Sequence, residues 1–445
     1  HLLDRGAIDR EFIGGHTTGF EELAAALRGQ EWERLERASG STREEMSRFA
    51  EIYSGSHRAV FIWSMGLTQH RFGVENVQAV VNLALARGMI GRQGCGLVPV
   101  RGHSGVQGAA EMGSVPAAYF AGMPVTEENA RRVAGLWGHP VPHAAGLTAQ
   151  EMIDAAHEGA LDVLYTVGGN FLDTLPDPAW VREALERVPT LIFQDLVLTQ
   201  AMLVDPAATV LVLPAATRYE QKGGGTATST ERRIRYSPEI PGPRIPEARA
   251  EWEIFSLIAR HAMDERSWKL LAWPDTGAIR REIDGVVPSY RGIAGLEREG
   301  QSIQYGGARL LEGGVCPNMP AGRARFTPLE PPELPAGPGE ILLTTRRGRQ
   351  FNSIVWSEDD PLSGSRRRDE IFLSAEDAGS RGLRDGDPVR VVSPRGEMRG
   401  HVRIAPIVPG TAQAFWPEAN GLLHRRLDPV SREPDYNVTV RIEKG

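Results

Sequence analysis

Only two cysteines, Cys95 and Cys316, occur in 445 residues, and they stand far apart in sequence. A disulfide framework and a four-cysteine metal site are both excluded on that count. A long apolar run is missing as well. The best candidate, 77–90, is interrupted by Asn82 and Arg87 and falls short of the ~20 residues of a membrane span. Basic excess is absent: 50 lysines and arginines face 57 acids, a formal net charge of −7 with both signs interspersed. Such a balance argues against general nucleic-acid binding, which needs a basic face. The chain opens on His1 and carries no signal peptide, so the first residues of the natural protein are expected to be missing and the location to be cytoplasmic. The length corresponds to roughly two to four domains.

What is present is a glycine-rich, polar and basic run over 91–108, ending in Arg101-Gly102-His103-Ser104-Gly105-Val106-Gln107-Gly108. Glycine lets backbone approach a ligand closely. The Arg101 guanidinium is a fixed fork suited to a carboxylate or phosphate, and His103 can move a proton near neutral pH. An irregular surface loop with a solvated arginine accounts for the same residues.

The flanking chain reads as α/β. Residues 1–53 are predicted helical, a peripheral pair with Phe20, Leu23, Leu27, Trp32 and Leu35 at helix spacing and a capping box at Thr42–Glu45. A β-rich run over 58–63, a polar loop holding Thr68, Gln69 and His70, and a helix over 74–87 ended by Gly88 form a strand–loop–helix unit. After a variable segment (113–145) come helix 148–158, strand 161–167, helix 177–187, strand 190–193, a short helical stretch 196–203 and strand 209–213. Apolar strands alternating with helices predict a parallel sheet covered on both faces. Two strands end in polar residues, Gly168-Gly169-Asn170 and Gln194-Asp195. Ligands dock at such strand ends, although Asn and Asp there also serve as helix caps. Neither end carries the G-x-G-x-x-G signature, so NAD is not implied. The triplet Gly223-Gly224-Gly225, followed by hydroxyl residues, Glu231 and two arginines, is either a phosphate cradle or a flexible loop. A helix is predicted over 248–263.

The proline-rich 331–339 stretch marks the last domain boundary. Beyond it, strands at 341–345, 388–393, 397–404, 411–416 and 437–442, with a capping-box helix at 374–381, predict a small barrel. Three loops stand out there: Arg346-Arg347-Gly348-Arg349-Gln350-Phe351-Asn352-Ser353, Trp416-Pro417-Glu418-Ala419-Asn420 and Glu433-Pro434-Asp435-Tyr436-Asn437. Arginines beside a glycine suit a pyrophosphate, and Phe351 and Trp416 suit a flat ring.

Met65-Gly66-Leu67-Thr68-Gln69-His70, Asn82-Leu83-Ala84-Leu85, Gly88 to Gly91, Arg101 to Gly108 and Met112-Gly113 together resemble the molybdopterin oxidoreductases, within them the formate-dehydrogenase-like branch of the dimethyl-sulfoxide-reductase superfamily. The resemblance runs over essentially the whole chain. It implies the C-terminal portion of such an enzyme, with two Rossmann-like parallel-sheet regions and a C-terminal double-psi β-barrel. The implied divisions are 1–105 and 106–216 for the pterin-binding α/β domains, 217–335 for a connecting and cofactor-contacting segment, and 336–445 for the barrel. It implies bis(molybdopterin guanine dinucleotide) with Mo or W as cofactor, and an iron–sulfur (4Fe-4S) cluster in the missing N-terminal portion, where the metal ligand also lies. Cofactor contacts would fall on Met65, Gly66, Gln69, Gly102, Gly168, Gly169, Asn170, Asp195, Thr199, Thr228, Glu231, Arg347, Gln350, Phe351, Asn352, Ser353, Trp416, Asn420, Tyr436 and Asn437. No metal ligand is expected in this chain. Arg101 matches the family arginine that holds an anionic substrate. At the place of His103 formate dehydrogenases have glutamine, which turns the expectation from formate towards another small anion. Expected partners are that substrate, the missing N-terminal portion and an electron-transfer subunit, with no nucleic acid and no membrane span. Two other readings stand beside this one: a structural or electron-wiring subunit that keeps the fold without pterin, and a nucleotide-binding module, which leaves the barrel unexplained.

Overall fold

The computed structural model describes residues 1–100, 102, 105–205, 208–332, 337, 339–348 and 359–445. Two compact units emerge. One is His1–Pro99 with Leu172–Ala179 and Arg309–Gly445, and the other is Val100–Phe171 with Trp180–Ala308.

The first unit begins with four helices rather than the expected pair: Arg10–His16, Phe20–Arg28, Trp32–Ser39 and Arg43–Gly55. The last starts at the anticipated capping box, with Thr42 and Glu45 exchanging side-chain-to-backbone bonds. A parallel pair follows, Val60–Trp63 with Gly96–Pro99, and between these strands runs the helix Gly73–Ala86. That helix buries Ala84 and Leu85 in a cluster with Ile13, Leu23, Tyr53, Met89 and Phe326. It closes at Gly88, past which the Met89 N–H returns to the Ala84 carbonyl at 2.8 Å. Gly91 lies against the 311–314 turn so closely that a Cβ there would stand 1.9 Å from the Leu311 carbonyl oxygen.

The barrel has six strands: β1 (Ile341–Arg346), β2 (Glu370–Leu373), β3 (Pro388–Val392), β4 (Glu397–Ile404), β5 (Thr411–Phe415) and β6 (Asn437–Lys444). They close in the order β1-β5-β2-β4-β3-β6. The β1–β5 and β2–β4 pairs are parallel and the other four antiparallel, the double-psi arrangement. Period-2 patterning explains the closure. Ile341 and Leu343, Val389 and Val391, Ala412 and Ala414, and Val438, Val440 and Ile442 all point into one core. The helix Ala375–Ser380 lacks the full capping box expected of it. Ser374 Oγ accepts from the Asp377 N–H at 3.0 Å, but Asp377, one methylene shorter than glutamate, turns its carboxylate to the Ser374 hydroxyl (2.7 Å) and the Gly410 N–H (2.8 Å).

In the second unit, Val163–Val167, Thr190–Asp195 and Thr209–Pro214 form the expected parallel sheet in chain order. Helices Ala149–His157 and Pro178–Arg187 are laced together, the His157 ring lying on Trp180 with centroids 3.4 Å apart and planes 9° from parallel. Two features escaped the sequence reading. The supposed variable segment contains the helix Glu127–Trp137. The stretch after the glycine triplet is an antiparallel sheet, Gly225–Ser229, Arg233–Ser237 and Ser302–Gln304, not a loop. Among the described residues no helix is long and apolar enough to cross a membrane.

Candidate functional site

In the first unit the side chains gather where the 64–72 loop meets the barrel. The chain leaves Val60–Trp63 through a tight turn, Met65–Leu67, and the Gln69 N–H returns to the Met65 carbonyl at 2.8 Å. Met65 is half-buried in this turn and Gly66 is exposed. The Gln69 carbonyl accepts from the Tyr436 N–H at 3.2 Å. Its side-chain amide lies between two barrel residues: Nε2 donates to Glu433 Oε1 at 2.9 Å, and Oε1 accepts from Arg347 Nη2 at 3.3 Å. The Arg347 guanidinium lies over the Trp416 ring, 4.2 Å from its centroid. Burial pulls its pKa down, while the Tyr436 phenol and the Glu433 carboxylate pull it up. Burial also pushes the Tyr436 phenol up to about 12, so it is neutral at pH 7.

The three arginines of this loop differ. Arg346 is paired with the buried Asp360 at 3.2 Å and packs on Phe372 and Phe415. Arg349 lies outside the described residues. Arg347 has no carboxylate within ion-pair distance among them. A partly buried cation that meets, among the described residues, one neutral side-chain partner is costly unless something else comes to meet it. Arg368 supports the platform, bonding the Trp416 carbonyl at 2.6 Å and pairing with Glu418.

Two further expected contacts are used within the protein. Asn420 Nδ2 donates to the Asp173 carbonyl at 2.6 Å, and the Tyr436 hydroxyl donates to the Thr174 carbonyl at 3.1 Å, so both hold the Leu172–Ala179 segment. Asn420 is fully buried, and its Oδ1 has no partner among the described residues. Asn437 opens β6, its N–H bonded to Asp435 Oδ1 at 3.1 Å. Gln350, Phe351, Asn352 and Ser353 lie outside the described residues.

In the second unit the polar strand ends converge. Gly168 and Gly169 have φ of 69° and 89°, with nothing within 4 Å of the position a Cβ would take. The Gly168 N–H bonds the Gln194 carbonyl at 2.8 Å, which brings the two strand ends together. Asn170 is buried and Asp195 half-buried, with Asp195 Oδ1 accepting from Leu196 N–H at 2.7 Å. Three buried polar atoms have no partner among the described residues: Gln194 Nε2, Thr166 Oγ1 and the expected contact Thr199 Oγ1. Thr166 was not singled out from sequence, and Gln194 was noted only as part of a polar strand end. Their signal was a polar side chain on an otherwise apolar strand. A ligand with donors and acceptors of its own fits such a set, because unpaired buried polar groups are costly.

The glycine triplet is not an open cradle. A Cβ on Gly224 would stand 2.5 Å from the Tyr236 hydroxyl, so these glycines permit close packing. Thr228 is buried and serves the helix Val106–Glu111. Its carbonyl takes the Gly105 N–H (3.1 Å) and its hydroxyl the Gly108 N–H (2.9 Å). Glu231 pairs with Arg235 at 2.8 Å, both exposed, at the rim of a cleft of about 440 Å³ that also exposes Arg233 and Gln301. Gly102 is exposed, and Arg101 and His103 lie outside the described residues. Within the helix that follows, Glu111 accepts from Gln107 at 3.1 Å.

These sites sit in a recognisable frame. Residues 9–261 match the model of the molybdopterin oxidoreductase family, and 341–440 match the molydopterin dinucleotide binding domain. The chain therefore belongs to the molybdopterin oxidoreductases. It is 31% identical over its full length to 67% of the F420-dependent formate dehydrogenase subunit alpha of Methanocaldococcus jannaschii. It is 30% identical to the YdeP protein of Shigella flexneri, a match covering 98% of this chain and 59% of that protein's length. Among solved structures, acetylene hydratase from Pelobacter acetylenicus superposes with a TM-score of 0.69 over all of this chain and 69% of its own, at 14% identity, a likeness of fold.

Proposed function

We propose that this chain is the part of a molybdopterin-dependent oxidoreductase that holds a bis(molybdopterin guanine dinucleotide) cofactor, acting on a small anionic substrate. The observation that carries the reading is Arg347, a half-buried guanidinium stacked on Trp416 whose side-chain hydrogen-bond partner among the described residues is the neutral Gln69 amide. That is the state of an arginine meant to receive a phosphate oxygen. When bound, the cofactor supplies the two-electron chemistry at Mo or W. The chain supplies the rest. Arg347 holds anionic charge, the buried Trp416 ring backs its guanidinium rather than meeting a ligand's ring, and Asn420 Oδ1 is an acceptor for a ligand N–H. In the second unit, Gly168 and Gly169 leave backbone open, while Gln194, Thr199 and Asp195 provide donors and an acceptor. Arg101 holds the substrate anion by permanent charge, and His103 exchanges a proton with it. The alpha-subunit name carried by the methanogen relative supports an electron-transfer partner subunit for the whole enzyme.

The test is pterin released per chain from the full-length enzyme. Arg347→Ala removes a charge-assisted bond of ~1.5–3 kcal/mol, so retention should fall about tenfold or more. Unchanged pterin content overturns the assignment. A pterin-free structural subunit is the second reading. What favours it is that Asn420 and Tyr436 are committed to the Leu172–Ala179 segment, and absence of both metal and pterin from purified full-length protein would establish it.

A further inference from the structure

We infer that Gln69 is a positioning residue that insulates Arg347 from Glu433, keeping the guanidinium open to an anionic ligand. The inference rests on the reading of Arg347 given above.

A carboxylate only accepts and a guanidinium only donates. An amide between them has one workable sense, with its NH₂ towards Glu433 and its oxygen towards Arg347, as the 2.9 and 3.3 Å contacts have it. Turned over, it sets oxygen against carboxylate and NH₂ against guanidinium. Glu433 thus anchors the amide, and the amide occupies the line along which Glu433 would reach Arg347. The Tyr436 N–H fixes the backbone of Gln69, which denies the side chain an easy retreat. Arg346, one residue away, shows the other outcome. Asp360 reaches it directly at 3.2 Å, its other contacts being the Gln413 amide oxygen at 3.4 Å and the Phe372 and Phe415 rings, and among the described residues no amide stands between the two charges. Take the amide away, and Glu433 is left to pair with Arg347, because a half-buried cation gains most from the nearest carboxylate. The donors that an incoming phosphate needs would then be filled.

Five variants of the full-length holoenzyme test this, with pterin released per chain after fixed dilution as the readout. Gln69→Ala should retain about tenfold less pterin, the change expected when one charge-assisted contact is lost. Glu433→Gln should retain no less than wild type. The double variant Gln69→Ala/Glu433→Gln should recover most of the loss, since the competing charge is gone. Gln69→Glu keeps the volume and puts a carboxylate directly on Arg347, so it should lose pterin as Gln69→Ala does, and it serves if the alanine variant does not accumulate. A double variant as depleted as Gln69→Ala shows a merely structural role and overturns the inference, as does Gln69→Glu with wild-type pterin. Arg347→Ala separates the two levels. If it retains pterin, the cofactor assignment itself fails. If it loses pterin while the double variant shows no rescue, only the insulation fails.

Discussion

Thr228 gives a prediction that is independent of any ligand. Helix Val106–Glu111 has six residues, and its N-cap, Gly105, contributes no side-chain bond. Its first turn is held from outside by Thr228, whose hydroxyl takes the Gly108 N–H at 2.9 Å and whose carbonyl takes the Gly105 N–H at 3.1 Å. Thr228→Val keeps the shape and the carbonyl but leaves the Gly108 N–H without its acceptor. A donor stranded in this way costs ~1–3 kcal/mol. At 1.4 kcal/mol per factor of ten, Gly108 amide exchange should quicken by roughly 5- to 150-fold. The assay is hydrogen–deuterium exchange with fragmentation across 100–115. Thr228→Ser restores the hydroxyl and should bring the rate back to within a few-fold of wild type. Exchange confined to wild-type rates in the valine variant would refute the reasoning, and so would a serine variant as fast as valine.

Gly91→Ala must fail to accumulate as folded protein, since its Cβ would stand 1.9 Å from the Leu311 oxygen. At Gly138, where φ is 65° and nothing lies within 4 Å, alanine should cost only the ~1–2 kcal/mol of a left-handed backbone, read as a modest drop in Tm. Arg232 holds a φ of 61° while its guanidinium bonds the Tyr305 and Gly307 carbonyls. Arg232→Ala should therefore lower Tm more than Arg232→Gly, by the equivalent of ~1 kcal/mol, because only glycine relieves the backbone. Burial of the Asp428 carboxyl raises its pKa, but N–H donors from Ser431, Val430 and Val74 outweigh this and hold it below the ordinary value. A depressed folded pKa gives stability that is complete above the unfolded pKa and lost as pH falls through the folded one. Melting profiles between pH 3 and 7 should accordingly show a shallower acid loss for Asp428→Asn than for wild type.

Much of this was legible because it is local. The box at Thr42–Glu45 fixes a helix start within four residues, and alternating apolar residues fix the barrel strands. Gln69, Arg347, Trp416 and Asn420 were picked out one by one through family resemblance. Their mutual geometry was not visible, because Gln69 and Glu433 are 364 positions apart. Glu433 was marked only as the start of a loop and given no role, since a single acid in a polar loop has no periodicity to betray one. The hairpin 225–237 was hidden for another reason. Its first strand, Gly-Thr-Ala-Thr-Ser, offers no large apolar residue to alternate, and its second, Arg-Ile-Arg-Tyr-Ser, alternates over only five residues. Asp377 misled by being one methylene too short for the bond its position suggested.

The first unit is written in three pieces, with His1–Pro99 at one end of the chain, Arg309–Gly445 at the other, and eight residues, Leu172–Ala179, between. Its early part waits for partners made late: Thr17–Thr18 for Ala324–Arg325, and the Gln69 backbone for Tyr436. At ~5–20 residues per second, a ribosome takes on the order of twenty seconds to a minute to make the chain between. Through that interval the core around Gly73–Ala86 lacks Cys316, Ala324 and Phe326, and the surface they cover is open to whatever else is nearby. Synthesis of this protein is thus a race between completion and capture. Slower translation or chaperone depletion should reduce its yield more than that of a protein whose domains are each continuous in sequence.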